Sequence, residues 1–213
     1  NTATNTDSKN TTYGGGVYVS NNGTFTMNGE ATSVSNNTAT NGGGVHVKSG
    51  GTFNMNGNAS IKSNAGNGVF VNGGTFTVSG TPTVKENTKD GAASNVHLAV
   101  NTYITIGGKL NAGASIGVTK TVDNGVFAKN VSTDCSGNFF SDNSTQYKVE
   151  YDKTTQQLVL KMKEPQPSEH THKWEYKLSD DQKTITAICT GTGDCDVNNG
   201  GSVTIKKPDD LTY

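Results

Sequence analysis

Short alternations of apolar and polar residues run through the first half of the chain. Val17-Tyr18-Val19, Phe25-Thr26-Met27 and Phe53-Asn54-Met55 each place an apolar residue on both sides of one that is polar or amphipathic. A period of two predicts β-strands with one buried face. Nothing sustains apolar residues at i, i+3, i+4 and i+7, so no helix is predicted. Asn-rich corners, as at Asn21-Asn22, Asn36-Asn37 and Asn64, separate the alternations and mark tight turns.

The alternations repeat. Gly14-Gly15-Gly16-Val17-Tyr18-Val19 returns as Gly42-Gly43-Gly44-Val45-His46-Val47. It returns again as Asn67-Gly68-Val69-Phe70-Val71 and, more loosely, as Asn95-Val96-His97-Leu98. From Val17 through Val45 and Val69 to Val96 the steps are 28, 24 and 27 residues. A second segment follows each first one: Thr24–Met27, Thr52–Met55, Thr75–Val78 and Tyr103–Ile106. A third runs through Val34, Ile61, Val84 and Ile116. Like segments at a fixed period pair like with like when successive turns of chain stack, with rungs about 4.8 Å apart. The predicted fold is all-β: a right-handed parallel β-helix with three strands per coil. Val17, Val19, Phe25, Met27 and Val34 then point inward, and Tyr18, Thr24 and Thr26 outward. An antiparallel sandwich is the competing fold, and it does not account for three matched segments in constant order.

Past residue 107 the wording becomes irregular, and the apolar residues from Leu110 to Leu160 are expected to form the last coils and a cap over the open strand edge. The predicted domains are a β-helix over 1–163, a Pro-containing linker over 164–169 and a small antiparallel β module over 170–213. Strands are expected in the module at Trp174–Leu178, Thr184–Cys189 and Val203–Lys206, with Ser179–Gln182 turning the first pair. Asn1-Thr2-Ala3-Thr4-Asn5 recurs word for word as Asn37-Thr38-Ala39-Thr40-Asn41. Residues 1–13 are therefore expected to be the tail of a preceding coil, and Asp209–Tyr213 the opening of another module.

Composition sharpens this picture. Hydrophobic residues make up 31%, mean hydropathy is −0.57 and net charge is −1. Low hydrophobicity at high charge signals disorder; at so low a charge it signals a repetitive polar β structure with a thin core. All 17 basic residues are lysine. Arginine is the preferred reader of phosphates and bases, so no nucleic-acid partner is expected. No apolar run approaches a membrane span, so no insertion is expected either.

The wording of Gly14–Gly29 and Asn36–Val47 resembles the β-helix regions of large surface proteins from gut-dwelling Firmicutes. Ile104–Thr119 and Phe139–Asp152 resemble the closing part of those regions, and His170–Cys195 resembles a small module that often follows. The resemblance covers nearly the whole chain, but the group has no single activity. It implies extracellular display, at the bacterial surface or secreted, and often adhesion. The expected function is a non-catalytic display and binding module, a monomer whose partner is a glycan or a host protein such as immunoglobulin or mucin. A purely structural stalk and a polysaccharide-processing β-helix enzyme are the alternatives. The acids Glu30, Glu86 and Asp90 do not stack at equivalent repeat positions, which argues against the enzyme, so no catalytic residue is expected.

The candidate ligand site is the outward slot of the first segment, occupied by Tyr18, His46, Phe70 and His97. Four successive rungs make a ring column roughly 14 Å long. Such a column can stack on sugars or anchor a protein; it can equally be cross-rung packing, or lie under a neighbouring loop. Two histidines in it predict sensitivity to pH near 6. An outward Thr ladder (Thr24, Thr52, Thr75) needs no ligand, since β-propensity explains it. A small module needs a staple, and Cys189 with Cys195 is expected to supply a disulfide, leaving Cys135 unpaired. Zinc held by these cysteines with His170 and His172, and free thiols, remain alternatives. Asp194, Asp196 and Asn198 are spaced like the start of a calcium loop but lack its glycine and closing Glu, so a polar turn is expected. No metal or cofactor is predicted.

Overall fold

The computed structural model describes residues 1–3, 11–30, 32–120, 122–163, 173–181, 183–189 and 202–206. The chain divides into two compact units, Asn1–Lys163 and Glu164–Tyr213. The first is a parallel β-solenoid of about 5 turns.

Its first coil holds β1 (Val17–Val19), β2 (Thr24–Met27) and β3 (Ser33–Ser35). The second holds β4 (Val45–Lys48), β5 (Thr52–Met55) and β6 (Ser60–Lys62), and the third β7 (Val69–Asn72), β8 (Thr75–Gly80) and β9 (Thr83–Lys85). A small antiparallel hairpin, β10 (Thr88–Lys89) and β11 (Ala92–Ala93), precedes β12 (Val96–Leu98), β13 (Ile104–Leu110) and β14 (Ser115–Thr119). Then β15 (Val126–Ala128), β16 (Phe139–Ser141), β17 (Tyr147–Asp152) and β18 (Gln157–Met162) close the unit.

Pairing follows the repeat, with a register shift between Ile106 and Leu110 where β13 leaves β8. Val17, Val45, Val69 and Val96 stand in register, as do Phe25, Phe53, Phe76 and Ile104, and Val34, Ile61, Val84 and Ile116. Like side chains therefore stack on like. The ring planes of Phe25 and Phe53 lie 5.2 Å apart by centroid at 20°, and those of Phe53 and Phe76 4.9 Å apart at 12°. Burying each of the inner rings stabilises the fold by about 2–3 kcal/mol, and stacking adds about 1. A one-residue slip would turn this whole set to solvent, so the register is strongly specified.

The corner after each third strand turns through a left-handed residue: Asn36, Ser63 and Glu86, with φ of 57°, 56° and 60°. Ser and Glu adopt that conformation at a cost of roughly 1 kcal/mol or more. The next residue is always an Asn, and these asparagines form a ladder that pins the corner. Asn37 donates from its backbone N and its Nδ2 to Asn64 Oδ1, Asn64 does the same to Asn87, and Asn87 to Asn95, all at 2.9–3.0 Å. Their Nδ2 groups also reach local carbonyls, such as Ser35, Lys62 and Lys85. The last rung is different: Asn95 donates from N and Nδ2 to the carboxylate of Asp142, which also accepts from Thr119 Oγ1 at 2.6 Å. Buried amides are costly unless paired, so a chain of them must start and stop at defined groups; Asp142 accepts and does not pass the chain on.

The regular coil ends at β14. This strand pairs with β9 at Ser115 and Ile116 and with β12 at Val118 and Thr119, so it runs from the third column into the first without a corner. Beyond it β15 still pairs in parallel with β13 and β16 with β14, and the direction reverses only at β18, which lies antiparallel to both β15 and β17. Phe127, Phe139, Leu158 and Leu160 fill the space beneath. Lys120, its side chain fully buried, donates to the carbonyls of Ala99 (2.8 Å) and Thr102 (2.9 Å) and pairs with Asp123 at 2.8 Å. That lysine is an interior cation satisfied on all sides.

The second unit contains one antiparallel sheet, β19 (Trp174–Leu178), β20 (Thr184–Cys189) and β21 (Ser202–Lys206). Trp174 stands opposite Cys189, and Ile185 opposite Ile205.

Candidate functional site

The outward slot of the first column does assemble the four predicted residues. Tyr18, His46, Phe70 and His97 are direct partners in β1, β4, β7 and β12. Tyr18 stacks on His46 at 5.2 Å and 22°, His46 meets Phe70 edge-on at 5.1 Å, and Phe70 lies 5.2 Å from His97.

Exposure along this column is uneven, which alternation alone does not predict. Tyr18 is 46% exposed, Phe70 and His97 are half-buried, and His46 is 1% exposed. His46 is covered by the rings of Tyr13, Tyr18 and Phe70 around it, and a glycine triplet passes close over the slot before β1 and again before β4. Gly42 takes φ +63°, and a Cβ there would sit 2.9 Å from His46 Cα and Cβ; one on Gly43 would sit 2.0 Å from the Ala65 carbonyl oxygen. The triplet is thus a strap laid over the slot and against the next coil, where only glycine fits. Just before the first strap stands Tyr13, 44% exposed, its ring edge-on to His46 at 4.8 Å. Sequence patterning missed Tyr13; its place one residue before the repeated triplet was the available signal.

Burial sets the electrostatics. The His46 pKa is lowered to about 4, first by desolvation and then by Lys48, against a hydrogen bond to the Asn41 backbone that raises it. His46 Nδ1 has no partner, so a second ring proton has nothing to bond. His97 is also lowered, first by desolvation, then by Lys89 and Lys120, against Asp142. His46 is therefore neutral near pH 6, and the pH sensitivity expected there does not arise from it.

Past His97 the column is continued by Thr119, and a cleft of about 400 Å³ opens between Ala92, Ala93 and the loop from Ser141 to Tyr147. Cys135 carries a free thiol, its pKa raised by burial and then by Asp134. Among the described residues no three His, Cys, Asp or Glu side chains gather as a metal site, and no helix is long and apolar enough to cross a membrane. The Cys189–Cys195 disulfide, His170, His172, and the Asp194, Asp196 and Asn198 turn lie outside the described residues, as does the linker at 164–169. Comparison with protein-family models, with curated proteins and with solved structures gives no match.

Proposed function

We propose that this chain is a non-catalytic display and binding module of an extracellular bacterial surface protein, and that it binds a glycan or host protein through the head of the ring column. The observation that carries this reading is the tyrosine pair. Tyr13 and Tyr18 are 44% and 46% exposed, yet both rings are held by contact with a buried imidazole. Rigid aromatic faces bind at low entropic cost and suit sugar rings and protein anchors alike. Mucin and immunoglobulin are the host proteins to try first.

A stalk is the second reading, and one observation favours it: the middle of the column is covered, which is what packing between coils requires. The two readings part on a double substitution. Tyr13→Ala with Tyr18→Ala is expected to weaken binding on a glycan array, or to immobilised mucin or immunoglobulin, by at least about tenfold, about 1.4 kcal/mol. The melting temperature should hold. Lost stability with unchanged binding would make the column packing and the module a stalk.

A further inference from the structure

The cleft past His97 lies at the opposite end of the ring column from Tyr18. Four rung spacings separate Tyr18 from Thr119, about 19 Å. Two irregular segments wall the cleft: Ala92 and Ala93 of β11 on one side, and the loop from Ser141 to Tyr147 on the other. Val118 and Leu160, both buried, add to its apolar lining. Its volume of about 400 Å³ falls within the roughly 300–1,000 Å³ usual for small-molecule sites. The loop wall is held by its own bonds. Asn143 N donates to Ser141 Oγ at 3.1 Å, Asn143 Nδ2 to Gln146 Oε1 at 2.8 Å, Tyr147 N to the Asn143 carbonyl at 3.0 Å and Lys163 Nζ to the Ser144 carbonyl at 2.6 Å. A wall fixed in advance binds at a lower ordering cost.

Charge decides what fits. Among the described residues, two charged groups line the cleft, Lys120 and Asp142. The three protons of the Lys120 ammonium are committed to the Ala99 and Thr102 carbonyls and to Asp123, so none is left for an anion. Asp142 accepts two bonds on Oδ2 and one on Oδ1, which leaves Oδ1 room for one further donor. A cationic donor is not favoured. After desolvation, Lys89 and Lys120 lower the His97 pKa and Asp142 raises it, so two ammonium groups share this corner with one carboxylate. A neutral donor remains. Ser144, Thr145 and Gln146 stand exposed on the rim, and their side chains both donate and accept. A sugar ring matches this lining, with hydroxyls at its edge for the polar rim and C–H groups on its face for Ala92, Ala93 and Val118.

We propose that this cleft is a binding site for a neutral saccharide, separate from the tyrosine pair at the head of the column and independent of it. The test is to titrate the isotope-labelled full chain with galactose and with N-acetylglucosamine, following backbone amide shifts, beside glucuronate as an anion and glucosamine as a cation. A neutral sugar should move the amides of Ala92, Ala93, Thr119 and the loop from Asn143 to Tyr147. The two charged sugars should bind at least about tenfold more weakly, about 1.4 kcal/mol. Ala93→Trp, and separately Gln146→Trp from the facing wall, fill the cleft and should weaken the neutral sugar by the same factor while the melting temperature holds. Tyr13→Ala with Tyr18→Ala should leave the cleft shifts unchanged. No cleft shift with either neutral sugar, shifts that persist in both Trp variants, or tighter binding of glucuronate or glucosamine would overturn the proposal. Cleft shifts in a chain that binds nothing through Tyr13 and Tyr18 would leave it standing and sink the head-of-column reading alone.

Discussion

At one end of the solenoid three short uncharged strands have no described partner on their outer side and leave Val17, Phe25 and Val34 half-buried. At the other, the chain turns back on itself. There β18 runs antiparallel between β15 and β17, and the outermost strand carries Lys148 and Glu150, with Glu150 paired to Lys148 at 2.7 Å and to Lys161 at 3.2 Å. Both ends belong to one stack with one register, so the difference does not come from the repeat. In the second column it comes from reversing strand direction and placing charge on the edge that results, whereas β16 ends its sheet as a parallel strand without charge. A parallel stack can always accept one more layer; an antiparallel, charged edge accepts none of the same kind.

The largest expected contrast follows from packing. Leu158 is 0% exposed under the cap, and Leu158→Ala should cost about 2–5 kcal/mol in urea unfolding, from lost transfer energy plus the cavity left behind. Val17→Ala at the open end removes half-buried methyls and should cost about 1 kcal/mol or less. Equal losses would mean that the open end is packed against something and that the contrast between the ends is false.

This contrast also marks how far the sequence could be read. The parallel stack was legible because identical words recur at a near-constant period, and stacking like on like is what such recurrence encodes: Phe25, Phe53 and Phe76 name their own register. The cap was legible only as apolar residues without a period, since Leu158 and Phe127 pack by shape and not by repetition. The ladder was hidden because Asn is common in any turn, and only the geometry distinguishes the bonded Asn37 and Asn64 from the exposed Asn36. The strap was hidden for a related reason. Alternation says that His46 points away from the core, but not that Gly42 lies across it.

Acid should loosen the two ends in different windows. The His46 imidazole titrates near 6.5 when unfolded and near 4 when folded. Between those values the unfolded chain binds more protons, so stability is full above the upper one and falls as pH drops toward the lower. The loss is roughly 3 kcal/mol at about 1.4 kcal/mol per pKa unit. At the capped end, Asp123 is held below its ordinary 3.8, first by the hydrogen bond from Lys120. Its contribution is present above 3.8 and fades only as pH falls further. His46→Phe should flatten most of the slope between pH 6.5 and 4, with His97 accounting for the remainder, and leave the lower window unchanged. Urea titrations at several pH values check this; a slope untouched by the substitution would mean that His46 already shares its proton with solvent.

The smallest effect on stability should come from making the capped edge resemble the open one. Lys148→Thr with Glu150→Thr keeps the strand propensity of β17 and leaves its inward residues Tyr147, Val149 and Tyr151 in place. Exposed ion pairs contribute little to folding, so the melting temperature should barely move. What should change is company: with Asp152 at its end as the one charge left, β17 becomes an edge strand freer to pair with another chain. Sedimentation over a range of concentrations should show self-association in the double variant and none originating at this end in the parent. A variant that stays as dispersed as the parent would show that the charges are incidental and that strand direction and twist alone protect the cap.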